Sequence, residues 1–374
     1  MPATTTAALL RAPGEAFELT ELELSPPGPG EVLIEMAATG ICHTDLSVAK
    51  TGLDPRMACV LGHEGAGTVA EIGPGVEYLA PGDPVVLSFA HCGECPSCTA
   101  GHPAYCRSAA ALNFAGRRLD GSTSLSTPGG EPVCSHFFGQ SSFARHAVVH
   151  ESSTVKVDAS PAELELLGPL GCSVQTGAGT ILRVLAPLED EPVAIFGAGA
   201  VGLSAVMAAA AVDASPIFVV EPHPDRRELA LEFGAAEALD PADGDAARKV
   251  RKATQGGVTA AIETVGAPAV IGAALATLRS PGRCVTLALP GGPNPVEVDQ
   301  STLLFGRSFE GVIEGDAVPQ QLIPRLLAFW REGRLPFERM IRTYPFEQIG
   351  AACEDARTGR TIKPVLSFGT EERA

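Results

Sequence analysis

The fold is decided by the stretch VAIFGAGAVG, which occupies residues 193–202. Its first four residues are apolar and predict a short buried strand, and the apolar run that starts at Leu203 predicts a helix. Between them, Gly197, Gly199 and Gly202 form the pattern GxGxxG. Glycines in a strand-to-helix turn let a pyrophosphate approach the helix N-terminus closely. The stretch therefore predicts a dinucleotide-binding turn.

A carboxylate follows this turn at an informative distance. The next predicted strand, residues 216–221, ends at Glu221, nineteen residues after Gly202. A carboxylate there binds the hydroxyls of the adenosine ribose and repels a 2′-phosphate, so NAD is favoured over NADP. Arg226 and Arg227 keep NADP open as an alternative, because arginine pairs well with phosphate.

Strand and helix patterns alternate along the middle of the chain. Residues 260–266 and 283–289 are further predicted strands, and such alternation builds a parallel sheet with helices on both faces. Residues 31–36 predict a strand of a different kind, partly alternating and placed after a run of proline and glycine. The stretches 344–346 and 362–366 suggest that the chain returns to this first domain. The sequence thus predicts an α/β protein with a doubly wound parallel sheet and a second domain.

Composition limits the classes of function. The 374 residues are 45% hydrophobic, which is enough for two domains, and the formal net charge is −17. Nucleic acid is excluded as a partner because its recognition needs a positive surface. No apolar run of about 18 residues predicts a membrane span, and the N-terminus lacks the features of a signal peptide. We therefore expect a soluble cytoplasmic protein whose ten cysteines are metal ligands and buried thiols.

Three metal-ligating residues lie far apart in the sequence. Cys42 opens the motif Cys-His-Thr-Asp, His63 lies within Gly-His-Glu, and Cys172 follows a glycine. Two thiolates and one imidazole suit zinc, and a catalytic zinc keeps its fourth position open for water or substrate. The sequence predicts that Cys42, His63 and Cys172 hold such an ion.

Neighbouring residues predict the chemistry around this ion. The hydroxyl of Thr44 is suited to take a proton from a substrate hydroxyl, and Asp45 is expected to hold the free ring nitrogen of His63. Glu64 is expected near the metal, on the side away from the substrate.

Four further cysteines give the strongest local signal. Cys92, Cys95, Cys98 and Cys106 are spaced so that their sulfurs can close a tetrahedron around a structural zinc with no open position. An iron–sulfur cluster uses similar spacings, but no other cysteine group suggests electron transfer. The prediction is therefore two zinc ions per chain.

These motifs, taken in their order along the chain, resemble those of the zinc-dependent medium-chain alcohol dehydrogenases. The resemblance covers essentially the whole chain. It implies a GroES-like β-barrel catalytic domain from residues 1–174 and 313–374, with the zinc lobe at 92–106. A Rossmann NAD-binding domain is implied for residues 175–312. Members pair through an edge of the nucleotide domain, so residues 302–312 would join a homodimer or homotetramer.

The resemblance also assigns cofactor and substrate contacts. His43 and Lys363 match residues that contact the pyrophosphate, Arg226 one near the adenosine ribose, and Thr176 and Val201 positions beside the nicotinamide. Val265, Leu287 and Leu289 are further implied cofactor contacts. The implied substrate pocket is formed by Phe89, Phe137, Phe138 and Leu289. Ser47 is a departure, because many members carry histidine there and serine cannot act as a base near neutral pH, which leaves the end of the proton relay open.

The implied activity is the reversible oxidation of a primary alcohol to an aldehyde with NAD. Aromatic or allylic alcohols are favoured, because residues 113–122 resemble the branch of the family that acts on aryl and terpenoid alcohols. An alternative is a thiol-adduct formaldehyde dehydrogenase, which would use Arg117, Arg118 and Arg145 to bind the thiol cofactor. A more distant alternative is a non-catalytic nucleotide sensor, although the open zinc site counts against it.

Overall fold

The structure, a computed structural model, describes residues 4–54 and 56–369. The chain divides into two compact units, of which the first comprises Met1–Cys172, Val318–Pro324 and Glu338–Ala374. The second comprises Ser173–Ala317 and Arg325–Phe337. This division differs from the predicted one chiefly in assigning residues 325–337 to the second unit.

Within residues 4–54 and 56–167, the first unit has ten strands and four α-helices. The strands are β1 (Thr4–Leu10), β2 (Glu18–Leu24), β3 (Glu31–Gly40), β4 (Cys59–Val60), β5 (Glu64–Ile72), β6 (Pro84–Leu87), β7 (Leu125–Ser126), β8 (Pro132–Val133), β9 (His146–His150) and β10 (Thr154–Lys156). The helices are α1 (His43–Thr51), α2 (Pro96–Thr99), α3 (Ala109–Asn113) and α4 (Pro161–Leu167).

The second unit alternates strands and helices, as predicted. Its elements are α5 (Ser173–Gly179), β11 (Val193–Phe196), α6 (Ala200–Ala211), β12 (Ile217–Val220), α7 (Pro224–Glu232), β13 (Glu237–Leu239), α8 (Ala246–Ala253), β14 (Val258–Glu263), α9 (Pro268–Thr277), β15 (Leu278–Thr286), α10 (Gln300–Leu304) and β16 (Arg307–Gly311). Helix α11 (Pro319–Arg331) follows, and then β17 (Ile341–Pro345), α12 (Ile349–Arg357) and β18 (Lys363–Ser367), which return to the first unit.

Six parallel strands form the sheet of the second unit, in the order β13-β12-β11-β14-β15-β16. The order reverses between β11 and β14, and ligands of doubly wound sheets bind at such a point, beyond the carboxyl ends of the strands. Strands β14 and β15 begin and end earlier than predicted. The apolar residues Val265, Leu287 and Leu289, which seemed to extend these strands, instead lie in the loops at this edge.

The first unit contains two sheets, ordered β4-β1-β2-β7-β8 and β10-β6-β5-β3-β18-β17, and β9 also pairs with β3. Residues of both sheets contribute to one hydrophobic core. The long strand β3 positions the segments that carry Cys42 and His63. Its last residue, Gly40, pairs with Glu64 on one side and with Val365 on the other. The segments that follow β3, precede β5 and begin β18 therefore meet at one end of the sheet.

No helix among the residues that the structure describes is long and apolar enough to cross a membrane.

A buried ion-pair network joins β3 to the 113–122 stretch. Glu31 is 4% exposed, and its carboxylate accepts from Arg118 at 2.7 and 2.9 Å and contacts His136 Nε2 at 3.2 Å. The Gly28 amide donates to it at 2.8 Å. Burial alone would raise the pKa of Glu31, but these partners together lower that pKa to about 2.

We predict that Glu31→Gln destabilises the protein by about 3 kcal/mol at pH 7, since a pKa lowered from 4.5 to about 2 corresponds to that free energy. A carboxylate with a lowered pKa stabilises the fold above its unfolded pKa. The difference between the variant and the wild type should therefore shrink as the pH falls from about 4.5 towards 2. Urea unfolding across this pH range measures it.

Glu18→Gln is the matched control, because Glu18 pairs with Arg11 at 2.5 Å but both side chains are about half exposed. It should change stability little at any pH. Equal effects of the two variants would contradict the role given to the Glu31 network.

Candidate metal and cofactor sites

The structure brings the three predicted catalytic-zinc ligands together. The ligand atoms of Cys42, His63 and Cys172 lie within 4.8 Å of one another, and a carboxylate oxygen of Glu64 lies in the same group. His63 is fully buried and Cys172 is 8% exposed. The pairing of β3 with β5 explains how Cys42 and His63 meet. The segment before Cys172 packs against the start of β5, since a Cβ on Gly168 would lie 2.2 Å from the Glu64 carbonyl oxygen.

Asp45 orients this group. Its carboxylate is fully buried and lies 2.9 Å from His63 Nδ1, in the predicted contact. It also accepts from the amides of Cys42 at 2.9 Å and Gly62 at 3.1 Å. Because Nδ1–H donates to the carboxylate, the lone pair of the imidazole is left on Nε2.

The donor set fits a soft cation. Nε2 of His63 is buried and has no hydrogen-bond partner within residues 4–54 and 56–369. The pKa of the Cys42 thiol is lowered, chiefly by its hydrogen bond with Cys172 and against the effect of burial. The thiolate is the form that binds metal, and two sulfurs with one imidazole nitrogen match zinc.

Glu64 is not available as a fourth ligand without losing its own partner. Lys363 Nζ donates to both of its carboxylate oxygens, at 3.0 and 2.9 Å, and also to the carbonyl of Ile41 at 3.1 Å. Both side chains are buried. Although burial opposes it, the charge of Glu64 raises the pKa of Lys363, which stays protonated.

The assignment of Lys363 to the cofactor pyrophosphate needs correction. The side chain is 2% exposed, and its three N–H groups can all be used by Glu64 and Ile41. It balances the charge of a buried carboxylate beside the metal ligands. A lysine at this position looks the same in sequence whether it serves a phosphate or a carboxylate.

Aromatic rings pack directly on the ligand imidazole. The ring of Phe138 stacks on His63 with centroids 4.5 Å apart, and Phe137 contacts it edge-on at 5.4 Å. Phe137 is completely buried, so it supports His63 as a core residue and does not line a substrate pocket as predicted. Phe138 and Phe89 keep 5% and 4% of their surface exposed, and their predicted role stays a prediction.

Helix α1 presents three polar residues around Cys42. The Thr44 hydroxyl lies 3.8 Å from Cys42 Sγ, beside the metal ligands as predicted. His43 and Ser47 are exposed on the same helix. Thr44 thus lies between the thiol and the exposed surface of α1.

The four-cysteine lobe has the geometry of a closed site. Sulfur–sulfur distances are 3.5 Å for Cys95–Cys98 and Cys92–Cys106, and 4.0 Å for Cys92–Cys98. Four sulfurs each about 2.3 Å from zinc stand about 3.8 Å apart, whereas a disulfide bond needs about 2 Å. Backbone amides, including those of Cys92, Cys95 and Ser108, point at the sulfurs from 3.4 Å and would stabilise thiolates.

The glycine turn between β11 and α6 has the shape expected for a dinucleotide site. Gly197 has φ = 95°, and a Cβ on Gly202 would lie 1.9 Å from the Gly197 carbonyl oxygen, so larger residues are excluded at both positions. A Cβ on Gly199 would meet nothing within 4 Å, so space remains beside the turn. Val201 lies in the first turn of α6 and is half-buried.

Glu221 lies just beyond the end of β12, next to this turn. Its carboxylate accepts from the amides of Ala198 at 2.7 Å and His223 at 3.0 Å, which fixes it beside the glycines. Arg227 is engaged by the Glu221 carbonyl at 2.7 Å and by Asp240 at 2.9 Å. Arg227 is therefore committed within the fold, which weakens the argument for NADP. Arg226 is half-buried.

Two buried carboxylates that the sequence analysis missed support the implied nicotinamide contacts. Glu263 accepts from the amides of Val265 and Gly266 at 2.6 Å each and from the Thr286 hydroxyl at 2.9 Å. Glu314 accepts from Gln175 at 3.0 Å and Thr176 at 3.4 Å. Glu263 could have been found from the sequence, because it is an acidic residue at the end of an apolar strand, as Glu221 is.

The implied cofactor residues at the carboxyl edge of the sheet differ in exposure. Val265 is 53% exposed and Leu289 is 59% exposed, whereas Leu287 is half-buried and Thr176 is 7% exposed. Large apolar side chains left open at this edge suit a ligand that covers them.

The three arginines of the thiol-adduct alternative are already paired. Arg117 bonds Asp54 at 2.8 Å, Arg118 pairs with Glu31, and Arg145 donates to the Phe368 carbonyl at 2.9 Å and to Glu347 at 3.3 Å. These pairs stabilise the first unit, so the residues do not form the free cationic site that this alternative needs.

Comparison with known families shows to which family the chain belongs. Residues 28–159 match the family model described as the alcohol dehydrogenase GroES-like domain, and residues 200–330 match the model of the zinc-binding dehydrogenases. The chain is 47% identical over 365 residues to a geraniol dehydrogenase of Castellaniella defragrans, with 97% of each chain covered.

Two solved structures share the whole fold. An alcohol dehydrogenase zinc-binding domain protein from Burkholderia ambifaria has a TM-score of 0.95 at 45% identity, covering 98% of this chain and 99% of its own. The benzyl alcohol dehydrogenase of Acinetobacter calcoaceticus has a TM-score of 0.92 at 38% identity, with the same coverage. The predicted combination of a GroES-like and a Rossmann fold is confirmed. The chain belongs to the zinc-dependent medium-chain alcohol dehydrogenases.

Proposed function

We propose that this alcohol dehydrogenase oxidises primary aromatic or allylic alcohols to aldehydes at a zinc ion held by Cys42, His63 and Cys172. The family uses zinc and NAD(H) in general. The observation that carries the proposal is the buried, unpartnered Nε2 of His63 beside two cysteine sulfurs, with Glu64 held by Lys363. This leaves three protein donors and one open position for a hydroxyl.

When bound, zinc would supply Lewis-acid chemistry that lowers the pKa of the substrate hydroxyl. The chain's own residues do the rest. Asp45 holds the imidazole in one tautomer, and Thr44 takes the hydroxyl proton at Oγ1 while it passes its own hydroxyl proton on. Ser47 lies on the exposed side of α1, where solvent rather than a side-chain base accepts the proton. When bound, NAD would supply the hydride acceptor for the substrate carbon, which keeps its oxygen as the aldehyde carbonyl.

The second unit is proposed to bind NAD at the glycine turn. The N-terminus of α6 would face the pyrophosphate, and Glu221, fixed by two backbone amides, would accept from the ribose hydroxyls. A 2′-phosphate would place negative charge against this buried carboxylate, so we propose that NAD is preferred over NADP.

The preference for aromatic or allylic alcohols is supported by two observations. The ring of Phe138 stacks on the imidazole of His63 and keeps a small exposed part that can contact a flat, apolar substrate. A geraniol dehydrogenase and a benzyl alcohol dehydrogenase are among the similar proteins.

The edge of the nucleotide-binding sheet supports a proposed homodimer or homotetramer. Strand β16 ends the sheet, and the preceding Leu304 and Phe305 are 73% and 67% exposed. A second copy of β16 would extend the sheet and cover these side chains.

The first test is a comparison of turnover among alcohols. We expect kcat/KM for benzyl alcohol and geraniol to exceed that for ethanol by more than about tenfold, because extra apolar contact strengthens binding by about 1–3 kcal/mol. NAD should be used in preference to NADP. Faster turnover of formaldehyde with an added low-molecular-weight thiol would contradict the substrate assignment.

Removing one ligand from each cluster tests the two zinc sites. Wild-type protein should contain two zinc ions per chain. Cys172→Ser should contain one, keep its fold, and lose more than about a hundredfold in turnover, more than the loss of an outer hydrogen-bond partner usually costs.

Cys95→Ser is the counterpart, and it should lose the other zinc and lower the melting temperature because a structural zinc contributes folding free energy. Elemental analysis and thermal unfolding measure both effects. Turnover retained in Cys172→Ser would show that Cys172 is not a ligand, and a single zinc in the wild type would favour a non-catalytic protein.

The oligomer is tested at the exposed apolar pair. Leu304→Glu with Phe305→Glu should convert the assembly to monomers, because buried, unpaired charges oppose association. Light scattering gives the mass of each form. Leu188→Glu is the control, since Leu188 is 69% exposed at a position outside this edge, and it should leave the mass unchanged. A monomeric wild type would contradict the proposal.

A further inference from the structure

We propose that Gln140 is a positioning residue that fixes the backbone of two catalytic-zinc ligands, His63 and Cys172, at once. This inference rests on the proposed zinc site and adds a residue to it.

The side-chain amide of Gln140 hydrogen-bonds to three backbone groups near the predicted metal ligands. Gln140 is fully buried. Its Nε2 donates to the carbonyl of His63 at 3.0 Å and to that of Ser88 at 2.9 Å, and its Oε1 accepts from the Gly65 amide at 3.2 Å. Both donor hydrogens and the acceptor oxygen are therefore used on the segments that carry or flank the ligands.

Ser88 extends this connection to the third ligand. Its buried hydroxyl donates to the carbonyl of Gly171 at 2.7 Å, and Gly171 immediately precedes Cys172. A Cβ on Gly171 would lie 1.8 Å from the Leu87 carbonyl oxygen, so this segment packs tightly against β6. One side-chain amide thus connects His63 to the segment that ends in Cys172.

The backbone around Gln140 is itself strained. Phe138 and Ser141, on either side of it, have φ values of 53° and 51°. Non-glycine residues adopt such values only where their surroundings fix them. Ser141 is held by a 2.7 Å bond from its hydroxyl to the Val60 carbonyl, and Phe138 stacks on the His63 ring. The same short segment therefore supports the imidazole from its face and from its backbone.

The hydrogen-bond partners of Gln140 argue against a role that is limited to filling space in the core. A buried polar side chain costs free energy unless it is fully bonded, and an apolar residue of the same size would fill the space without that requirement. The three partners of Gln140 all lie in the segments that build one metal site.

Asn113 provides a matched comparison at the other metal site. It is 4% exposed, accepts from the Ala90 amide at 2.8 Å, and donates to the carbonyls of Ala90 at 3.0 Å and Ala109 at 2.9 Å. Both partners belong to the small apolar cluster that packs around the four cysteines. Each of the two buried amides therefore bonds to backbone groups beside one of the two predicted metal sites.

The experiment compares Gln140→Met with Asn113→Leu, both close in size to the natural residues and unable to make these bonds. Zinc release to a chelator is followed for each site, and the catalytic-site zinc is identified as the one that Cys172→Ser lacks. Gln140→Met should weaken zinc binding at the catalytic site by about 10- to 100-fold and leave the four-cysteine zinc unchanged. Asn113→Leu should show the opposite selectivity.

A spectroscopic readout separates positioning from general destabilisation. Cobalt placed at the catalytic site should show a shifted visible absorption in Gln140→Met, because the ligand geometry changes, and kcat should fall more than KM rises. Ser88→Ala removes one hydroxyl only and should shift the same band to a smaller extent. If Gln140→Met does not fold, the cobalt band of Ser88→Ala decides, and an unchanged band would then contradict the inference.

Three results would overturn the inference. Unchanged zinc release and an unchanged cobalt spectrum in Gln140→Met, with two zinc ions in the wild type, refute the positioning role alone. Equal loosening of both zinc ions shows that Gln140 only stabilises the fold. One zinc ion in the wild type would refute the proposed function as well.

Discussion

The buried carboxylate of Asp45 is the constraint on which the metal site depends. It accepts from the amides of Cys42 and Gly62 and from the imidazole of His63, so one side chain sets the position of two ligands and the orientation of one ring. A free carboxylate in this position would be costly to bury, and its three donors offset that cost. All of these contacts are made by groups of the protein itself.

Buried carboxylates that accept from backbone amides also occur in the second unit, where they lie beside the glycine turn instead of a metal site. Glu221 and Glu263 lie at or just beyond strand ends and accept from backbone amides of the neighbouring turns. A carboxylate bound in this way fixes a loop and also places negative charge at the carboxyl edge of the sheet. At Glu221 this charge is proposed to favour NAD over NADP, and at Glu263 the carboxylate holds the turn that contains Val265.

Much of the architecture could be predicted because its determinants are local. The glycine turn, the apolar strand before it and the spacing of the four cysteines are short patterns with few physical solutions. The three predicted zinc ligands could be found only as a set, since Cys42 and His63 meet through the pairing of β3 with β5 and Cys172 comes from a third, distant segment.

The site residues whose roles could not be predicted are those whose partners are distant in sequence. Lys363 pairs with Glu64 across almost 300 positions, and nothing near it in the chain shows that its charge is already balanced. Phe137 and Phe138 are adjacent, but the left-handed backbone at Phe138 buries one ring completely and leaves a small part of the other exposed. The role of Gln140 could not be predicted, because a single glutamine outside any known motif does not indicate a function.

The central claim is that three protein donors hold a zinc ion and leave its fourth position open. A crystal structure with anomalous scattering measured on both sides of the zinc absorption edge tests it most directly. The account predicts a peak bonded to Cys42 Sγ, His63 Nε2 and Cys172 Sγ, with water or another small molecule as the fourth ligand. Absence of the peak, or a shell closed by Glu64 in place of an exchangeable ligand, would contradict it.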